Sequence, residues 1–518
     1  MAFKSRKFLA PAISFLALLT ACQSPENYDL IFRNGTIVDG TGKAPFAGDV
    51  AINGDSIVAV GNLKRATGTA EVDISGLVIA PGFINIHSHA EPDALPTAVN
   101  MLSQGVTTEI MNADGRSPLD LTDQMRQLDS GGLALNVGGC IGFNSVWQAS
   151  VGLNDQRPTG DQIRDMQGMI RKGLEAGAWG VSAGLDYVPG RYAKTEEVIE
   201  ILKPFSDWNV VFTNHDRLTP ENGFSSIAGM TETIDIGTAS GLIPLITHMK
   251  VQGWEQGKVN TILERMTAAQ TGFPGGAVAD VYPYLAGMTG LASLIIPSWA
   301  QEGGYEAMVT RFKDPALRKQ IIREAEEAMK LRFGGYEGIF LMDSQRELAD
   351  AMQEFGIDSP GEAVIRLLEE KNQVIIARFG IESDLIAIMQ HPTASIACDC
   401  GASLQERVHP RSWGSFPKVL GEYVREKKVL TLEEAIYKMS GLPAKTIGMT
   451  DRGTLETGKG ADLVVFNPTT VIDKATYAEP TLMSEGIVHT LVNGQFAWKD
   501  GEATGIKAGK TLKRRSMN

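Results

Sequence analysis

The sequence is poor in cysteine, in basic charge and in long apolar runs, and each shortage excludes a class of protein. Only 4 of its 518 residues are Cys, so we expect no disulfide framework to hold the fold together. Acidic residues outnumber basic ones by 61 to 48, which excludes a nucleic-acid-binding main domain, because such a domain needs a basic face. Beyond the N-terminus, no apolar run is long enough to cross a bilayer. The 43% of hydrophobic residues is typical of a globular protein with a large core.

The first 22 residues have the pattern of a bacterial export signal. A basic start precedes the apolar residues 8–19, which are too few to span a bilayer comfortably. They end in Leu19-Thr20-Ala21-Cys22, which resembles the lipoprotein cleavage box, where the Cys thiol takes a diacylglycerol. No Asp follows Cys22, so resemblance to known sorting patterns favours a lipid anchor in the outer membrane, facing the periplasm. A plain cleaved signal and a short anchor helix are the alternatives.

Short strands separated by turns occupy both ends of the remaining chain. Strand-like runs fill residues 28–80, and similar runs occur again at residues 461–466 and 488–494. Neither piece is long enough to close a sandwich alone. We therefore expect residues 23–80 and 441–510 to pair into one small β-sandwich built from both chain ends.

Between these ends, apolar strands alternate with helical segments over residues 81–440. Such alternation predicts an α/β fold in which a parallel sheet is covered by helices. Eight units over about 350 residues fit a (β/α)8 TIM barrel with insertions. A doubly wound sheet is the alternative. Residues 296–345 are rich in Lys, Arg and Glu and are predicted to form an insertion, a candidate lid.

Histidines stand at the ends of several predicted barrel strands. His87-Ser88-His89 directly follows the apolar residues 83–86, and alternation along a strand places both imidazoles on one face. Two such imidazoles at the C-terminal end of a barrel strand can chelate one divalent metal ion. Other candidate ligands also follow strands, namely His215, His248 and Asp399. The remaining histidines are expected not to bind metal: His391, His409 and His489.

The segment around the first two histidines, residues 80–89, resembles the amidohydrolase superfamily. In that superfamily, a split β-sandwich flanks a metal-bearing (β/α)8 barrel. The nearest resemblance within it is to the N-acyl-D-amino-acid deacylase (D-aminoacylase) family, and it extends over most of the chain. It is carried by residues 184–192, 280–284, 409–411 and 414–417, which follow the family's order.

This resemblance implies a metal site, residue by residue. His87, His89 and Asp399 match one metal position, and His215 and His248 match the other, which the family often completes with a Cys. Here Asp114 stands at that Cys position, with Glu109 as a competing carboxylate. Because a carboxylate is a harder ligand than a thiolate, the metal identity or affinity would differ. Cys398 and Cys400, which flank Asp399, are interpreted as packing residues.

The resemblance also implies where the substrate binds. The matching positions carry Tyr187, Lys250, Tyr282 and Arg411. The two cations suit an α-carboxylate, and Arg can contact it through two hydrogen bonds. Met288 stands where the family usually has a Ser. No lysine occupies the strand end used by carbamylated-lysine members of the superfamily, which argues against the dihydropyrimidinase and dihydroorotase pattern.

The function implied is zinc-dependent hydrolysis of the amide bond of N-acyl-D-amino acids, giving a carboxylate and a D-amino acid. One or two Zn²⁺ ions would activate water, and Asp399 would take its proton and pass it to the leaving amine. A dipeptidase acting on dipeptides with a C-terminal D-residue and a cyclic-amide hydrolase are the enzymatic alternatives. The non-enzymatic alternative is a ligand-binding lipoprotein.

Overall fold

The computed structural model describes residues 27–218 and 223–514. The export segment and the lipid-acceptor Cys22 lie outside the described residues, so the lipid anchor stays a prediction. None of the described helices combines the length and the apolar character that a bilayer span requires.

Both ends of the chain contribute to one nine-stranded sheet. The two ends meet where Val78–Pro81 pairs antiparallel with Leu463–Phe466. Apolar side chains from both ends share one core, including Phe32 and Leu491. The strands are Asn27–Ile37, Phe46–Asn53, Ser56–Gly61, Thr67–Asp73, Val78–Pro81, Leu463–Phe466, Ile487–Val492, Gln495–Lys499 and Glu502–Ala503. This composite β domain is the one expected from the strand-like sequence patterns at the two chain ends.

The central part of the chain forms a closed parallel barrel, which confirms the predicted fold class. Its eight strands are, in order, Phe83–Asn85, Val106–Met111, Asn136–Gly139 continued by Ile141–Gly142, Gly180–Gly184, Val211–His215, Ile243–Ile246, Val278–Val281 and Ala394–Ile396. Neighbours pair in parallel around the ring. A parallel bridge between Ser88 and Cys400 joins the segments after the first and eighth strands. This closure excludes the doubly wound alternative.

The longer helices cover the outside of the barrel because they bury an apolar face. In Gly160–Glu175, for example, Met166, Ile170 and Leu174 are buried at helical spacing, and Thr159 with Gln162 forms a capping box. The other helices associated with the barrel are Val99–Leu102, Leu121–Gly131, Phe143–Ser150, Gly190–Tyr192, Thr195–Leu202, Lys203–Trp208, Ser226–Ser240, Gly253–Glu255, Val259–Ala268, Glu382–Gln390, Arg411–Lys418, Val419–Glu426, Leu432–Met439 and Gly441–Ile447.

A large insertion separates the seventh and eighth barrel strands, and the predicted range 296–345 lies inside it. Its four antiparallel strands are Ala286–Gly290, Ile339–Leu341, Arg346–Glu347 and Val374–Arg378. Its helices are Leu291–Ile295, Ser298–Gln301, Tyr305–Arg311, Pro315–Phe333, Tyr336–Gly338, Leu348–Phe355 and Pro360–Glu370. The insertion has an apolar core of its own, which includes Phe312 and Leu348.

A buried ion pair fixes the insertion to the barrel. Arg332, near the end of the helix Pro315–Phe333, places Nη1 2.8 Å and Nη2 3.1 Å from the two carboxylate oxygens of Asp186, which follows the fourth barrel strand. Both side chains are fully buried. Close by, a Cβ atom at Gly253 would lie 2.3 Å from the Leu331 carbonyl oxygen, so the helix end requires a glycine there. The insertion is thereby held over the C-terminal end of the barrel, where active sites of this fold lie.

Candidate metal centre

Every predicted metal ligand lies at the C-terminal end of the barrel. The side chains gather into two groups, the first comprising His87, His89, Asp114 and Asp399, and the second Asp114, His215 and His248. They come from the ends of strands one, two, five, six and eight, which parallel pairing brings to one edge. The structure thus brings together residues that are up to several hundred positions apart in the chain.

Three of these ligands have a backbone conformation that L-residues rarely adopt. The φ angles are 54° at Asp114, 34° at His248 and 48° at Asp399. Such a conformation costs on the order of 1–3 kcal/mol each and persists only where the surroundings enforce it, commonly at functional sites. Here it turns the chain sharply at the strand ends.

The first group has the spacing of a tetrahedral metal site. Nε2 of His87 lies 3.5 Å from Asp114 Oδ1 and 3.4 Å from Asp399 Oδ1. Nε2 of His89 lies 3.5 Å from Asp114 Oδ2 and 3.2 Å from Asp399 Oδ1. Ligand atoms placed about 2.0–2.1 Å from a tetrahedral zinc ion are separated by about 3.3 Å. The four separations between histidine nitrogens and carboxylate oxygens are close to this value, as a shared zinc ion requires.

Two orphaned atoms support this fit. His87 Nε2 and Asp114 Oδ1 are buried and have no hydrogen-bond partner among the described residues. Buried polar atoms are nearly always paired, and leaving one unpaired costs about 1–3 kcal/mol. Both atoms belong to the four-atom group, so a metal ion held there would satisfy both.

The second group is more compressed. Asp114 Oδ2 lies 3.7 Å from His215 Nδ1, while His215 Nδ1 and His248 Nε2 are in hydrogen-bond contact at 2.7 Å. That contact is about 0.6 Å shorter than the ligand separation at a tetrahedral zinc ion. The two imidazoles would have to move apart to bind one ion together. Asp114 is the residue shared by both groups.

The negative charges of the two carboxylates in the first group favour the binding of a cation. Burial lowers the pKa of His89, but Asp114 and Asp399 outweigh this effect and raise it to about 9. The pKa of His87 is raised in the same way by Asp280, Asp114 and Asp399, against burial. Without a metal ion, the imidazoles thus retain protons that neutralise the carboxylates. A divalent ion would take over this role as the protons leave.

Asp280 fixes the orientation of two ligands and was missed in the sequence. Its Oδ2 lies 3.3 Å from His87 Nδ1, and its Oδ1 accepts a 2.7 Å hydrogen bond from the His248 backbone N–H. A carboxylate on the second ring nitrogen directs the other nitrogen of a histidine to the metal. The sequence did contain a pattern that indicates this position of Asp280. It is two residues before Tyr282, and alternation puts both on one face of the seventh strand.

Glu109, the competing carboxylate, lies outside both ligand groups. It is fully buried and accepts hydrogen bonds from Asn85 Nδ2, Ser88 Oγ and the Ala402 N–H, at 3.3, 3.1 and 3.2 Å. Burial raises its pKa to about 7. Glu109 therefore joins the segments that carry the ligands of the first and eighth strands, and the structure places Asp114 among the ligand atoms.

Cys398 and Cys400 are buried in the main apolar core, as expected of packing residues, and a disulfide that the sequence did not predict joins them. The bridge encloses Asp399 and so restrains the backbone of a candidate ligand. The short spacing made this disulfide hard to predict from the sequence, since two cysteines so close can be bridged only when the residue between them turns the chain sharply. Asp399, with its φ of 48°, makes that turn.

Two buried cations lie beside the metal groups. Lys250 Nζ sits 3.1 Å from the ring centroid of Tyr282 and has no hydrogen-bond partner in the part of the chain that is described. Burial, together with Arg411, lowers its pKa well below the ordinary value. Arg411 places Nη1 2.7 Å from Asp399 Oδ2, but its Nε and Nη1 lack aligned acceptors among the residues described. Donors of both side chains are thus available to an anion.

The metal groups and the cations share one cavity of about 650 Å³ between the barrel and the insertion. Tyr187 contributes to its wall, with its ring 4.2 Å from that of His215 and its hydroxyl 3.3 Å from Thr289 Oγ1. Met288, Thr289 and Leu294 of the insertion also line it. All four predicted substrate-binding residues therefore face the same space as the candidate ligands.

Comparison with known proteins identifies close relatives. A profile described as the Amidohydrolase family matches residues 406–497. A D-aminoacylase of Alcaligenes xylosoxydans xylosoxydans is 31% identical over 94% of this chain and 98% of the relative. A solved structure of D-aminoacylase with a binuclear metal centre has a TM-score of 0.78 at 29% identity, covering 94% of this chain and 100% of that one. N-acyl-D-glutamate deacylase from Bordetella bronchiseptica, complexed with zinc and a phosphonate inhibitor, has a TM-score of 0.77 at 29% identity with the same coverage.

The shared position of Asp114 predicts how metal content responds to substitution. His215→Ala should remove the second group and leave the four-atom group intact, lowering zinc stoichiometry to at most one ion. Asp114→Ala removes a ligand from both groups and should lower it further. Mass spectrometry of zinc-loaded, dialysed protein measures this, with His489→Gln in the composite β domain as a control. Equal zinc content in Asp114→Ala and the unaltered protein would remove Asp114 from the centre.

The raised pKa of His89 predicts that zinc affinity depends on pH. A metal binds the neutral imidazole, so below pH 9 binding must displace a proton from His89. Apparent affinity should increase about tenfold per pH unit for each proton displaced, and the contribution of His89 should end above about pH 9. Competition with a chelator across pH 6–10 measures the slope, which should be shallower in His89→Gln. A flat profile would contradict the charge arrangement.

Proposed function

Because this chain belongs to the D-aminoacylase family of amidohydrolases, we propose that it hydrolyses N-acyl-D-amino acids to a carboxylate and a free D-amino acid. As a member of that family, it is a metal-dependent amidohydrolase. Zn²⁺, one or two ions, is the cofactor that suits the ligand atoms, and a relative is solved with zinc. The observation that carries the proposal is the group formed by His87, His89, Asp114 and Asp399, with two buried cations in the same cavity.

The cations support a substrate that bears a carboxylate. Arg411 and Lys250 are both buried, and the carboxylate close to them in the described chain, Asp399, also faces the ligand histidines. Lys250 Nζ has no hydrogen-bond partner among the described residues and burial lowers its pKa, so an anion that enters beside it favours its charged form. The α-carboxylate of an N-acyl amino acid supplies that anion, whereas a cyclic amide without a carboxylate does not. This difference favours linear over cyclic substrates.

Asp399 is suited to move the protons of the reaction. When bound, zinc lowers the pKa of a coordinated water and polarises the scissile carbonyl. Asp399 is ionised, since Arg411, His87 and His248 hold its pKa below the ordinary value although burial opposes this. Its carboxylate accepts the proton of the attacking water and donates it to the leaving nitrogen.

Substrate binding and the basicity of Asp399 are coupled through Arg411. In the free site, Arg411 lies 2.7 Å from Asp399 Oδ2 and is the largest influence that lowers the pKa of this carboxyl. A substrate carboxylate on Arg411 offsets that positive charge, so the pKa of Asp399 rises as the substrate binds. Asp399 therefore becomes a better base when there is an amide to cleave.

The activity is tested by release of free amine from N-acetyl-D-amino acids and their L-enantiomers, using zinc-loaded protein. We expect turnover of the D-series, loss of activity after chelation and recovery on adding zinc. A panel of acidic and apolar side chains should be included, because Met288 and Leu294 line the cavity and favour apolar groups. Ligand binding without turnover would favour a binding protein, and hydrolysis restricted to cyclic amides would overturn the proposal.

The role of Asp399 is tested by Asp399→Asn. Loss of general acid–base help typically lowers the rate by about 10²–10⁴-fold, so we expect kcat to decrease at least a hundredfold while the fold is retained. Asp358→Asn, an exposed carboxylate between two helices of the insertion, is the matched control. The assay must be run at saturating zinc, because Asp399 also belongs to the first ligand group. A kcat close to that of the control would eliminate Asp399 as the base.

A further inference from the structure

A second cavity adjoins the metal cavity and plays no part in the scheme above. It has a volume of about 550 Å³ and shares Asn112, Arg116, Ser293 and Asn372 with the first cavity. Pockets of about 300–1,000 Å³ hold whole small-molecule ligands, so this space is far larger than an acetyl group needs. It is a continuation of the site.

The barrel places the second cavity opposite the buried cations. Lys250, Tyr282 and Arg411 follow the sixth, seventh and eighth strands, whereas Arg116 and Asn144 of the second cavity follow the second and third strands. In a ring of eight strands these two sets lie on opposite sides, with the metal groups between them. The groups of an N-acyl amino acid have a matching arrangement, because its carboxylate and its acyl group extend from opposite sides of the scissile amide. With the carboxylate at Arg411, the acyl group extends towards the second cavity.

The second cavity has the charge of an anion site. Arg116 is the one charged residue among the described residues that line it, and no carboxylate is among them. Arg116 is solvent-exposed, and within the described ranges its guanidinium has no ion pair or hydrogen bond, so it is free to bind an anion that enters this cavity. Gln148 is also exposed to this space, while Leu153 and Met308 supply apolar wall. An aliphatic stem that ends in a carboxylate matches this combination, since guanidinium binds carboxylate through paired hydrogen bonds.

We propose that the second cavity is an acyl subsite, and that the preferred substrates are D-amino acids whose N-acyl group ends in a carboxylate, such as succinyl or glutaryl. This inference rests on the proposed function and specifies its substrate class. Both carboxylates of such a substrate are then paired, one with Arg411 and Lys250 and the other with Arg116. The scissile carbonyl lies between them at the metal groups.

The experiment compares N-glutaryl and N-pentanoyl derivatives of one D-amino acid, whose acyl chains have equal length and differ in the terminal carboxylate. We expect kcat/KM to be about fivefold higher for the glutaryl compound, which is the upper range for an ion pair with an exposed guanidinium. Arg116→Gln should reduce this ratio to about one. Arg126→Gln, which removes an exposed guanidinium outside both cavities, should keep it.

Charge reversal provides a second measurement. Arg116→Glu should prefer the 5-aminopentanoyl over the glutaryl derivative, which a merely structural role of Arg116 would not produce. Hydrolysis of the N-acetyl compound with no glutaryl preference, or an unchanged preference in Arg116→Gln, would overturn the acyl subsite and leave the proposed function standing. Failure to hydrolyse any N-acyl-D-amino acid would overturn the proposed function, and the acyl subsite with it.

Discussion

The carboxylate of Asp114 is the contact on which the candidate centre depends. One oxygen faces His87 and the other faces both His89 and His215, so a single side chain links the two ligand groups. Its pKa is held well below the ordinary value by these histidines, although burial opposes ionisation. The histidines in turn hold protons because Asp114 and Asp399 are ionised. The first ligand group is thus a cluster of opposite charges whose separations of 3.2–3.5 Å suit a shared metal ion.

The residues around this centre differ from one side of the barrel to the other. Cations lie on the side of the sixth to eighth strands, and an amide-rich cavity with a single Arg lies on the side of the second to fourth. The insertion covers both, and the buried pair of Arg332 with Asp186 fixes it to the barrel. In the proposed function, a linear substrate enters in one orientation, with its reacting carbonyl over the ligand groups. The substrate class that we propose rests on how the charges are distributed around the ring of strands.

Features that follow from local alternation were predictable from the sequence, and features that depend on long-range packing were not. The barrel, the composite β domain and the gathering of the strand-end histidines could be predicted because apolar strands and their terminal histidines recur along the sequence, whereas Asp114 was expected from the family resemblance. Asp280 could have been found by the same alternation. The pairing of Arg332 with Asp186 could not, since 146 positions separate them and the helical pattern that buries Arg332 does not indicate its partner. The full extent of the insertion and the second cavity likewise depend on how separate segments pack.

The central claim is that His87, His89, Asp114 and Asp399 surround one metal ion. Anomalous diffraction from crystals of the zinc-loaded protein, recorded on both sides of the zinc absorption edge, tests it most directly. We expect a strong peak about 2.0–2.2 Å from one atom of each of the four side chains. A zinc peak elsewhere, with these four side chains hydrogen-bonded directly to one another, would contradict the account.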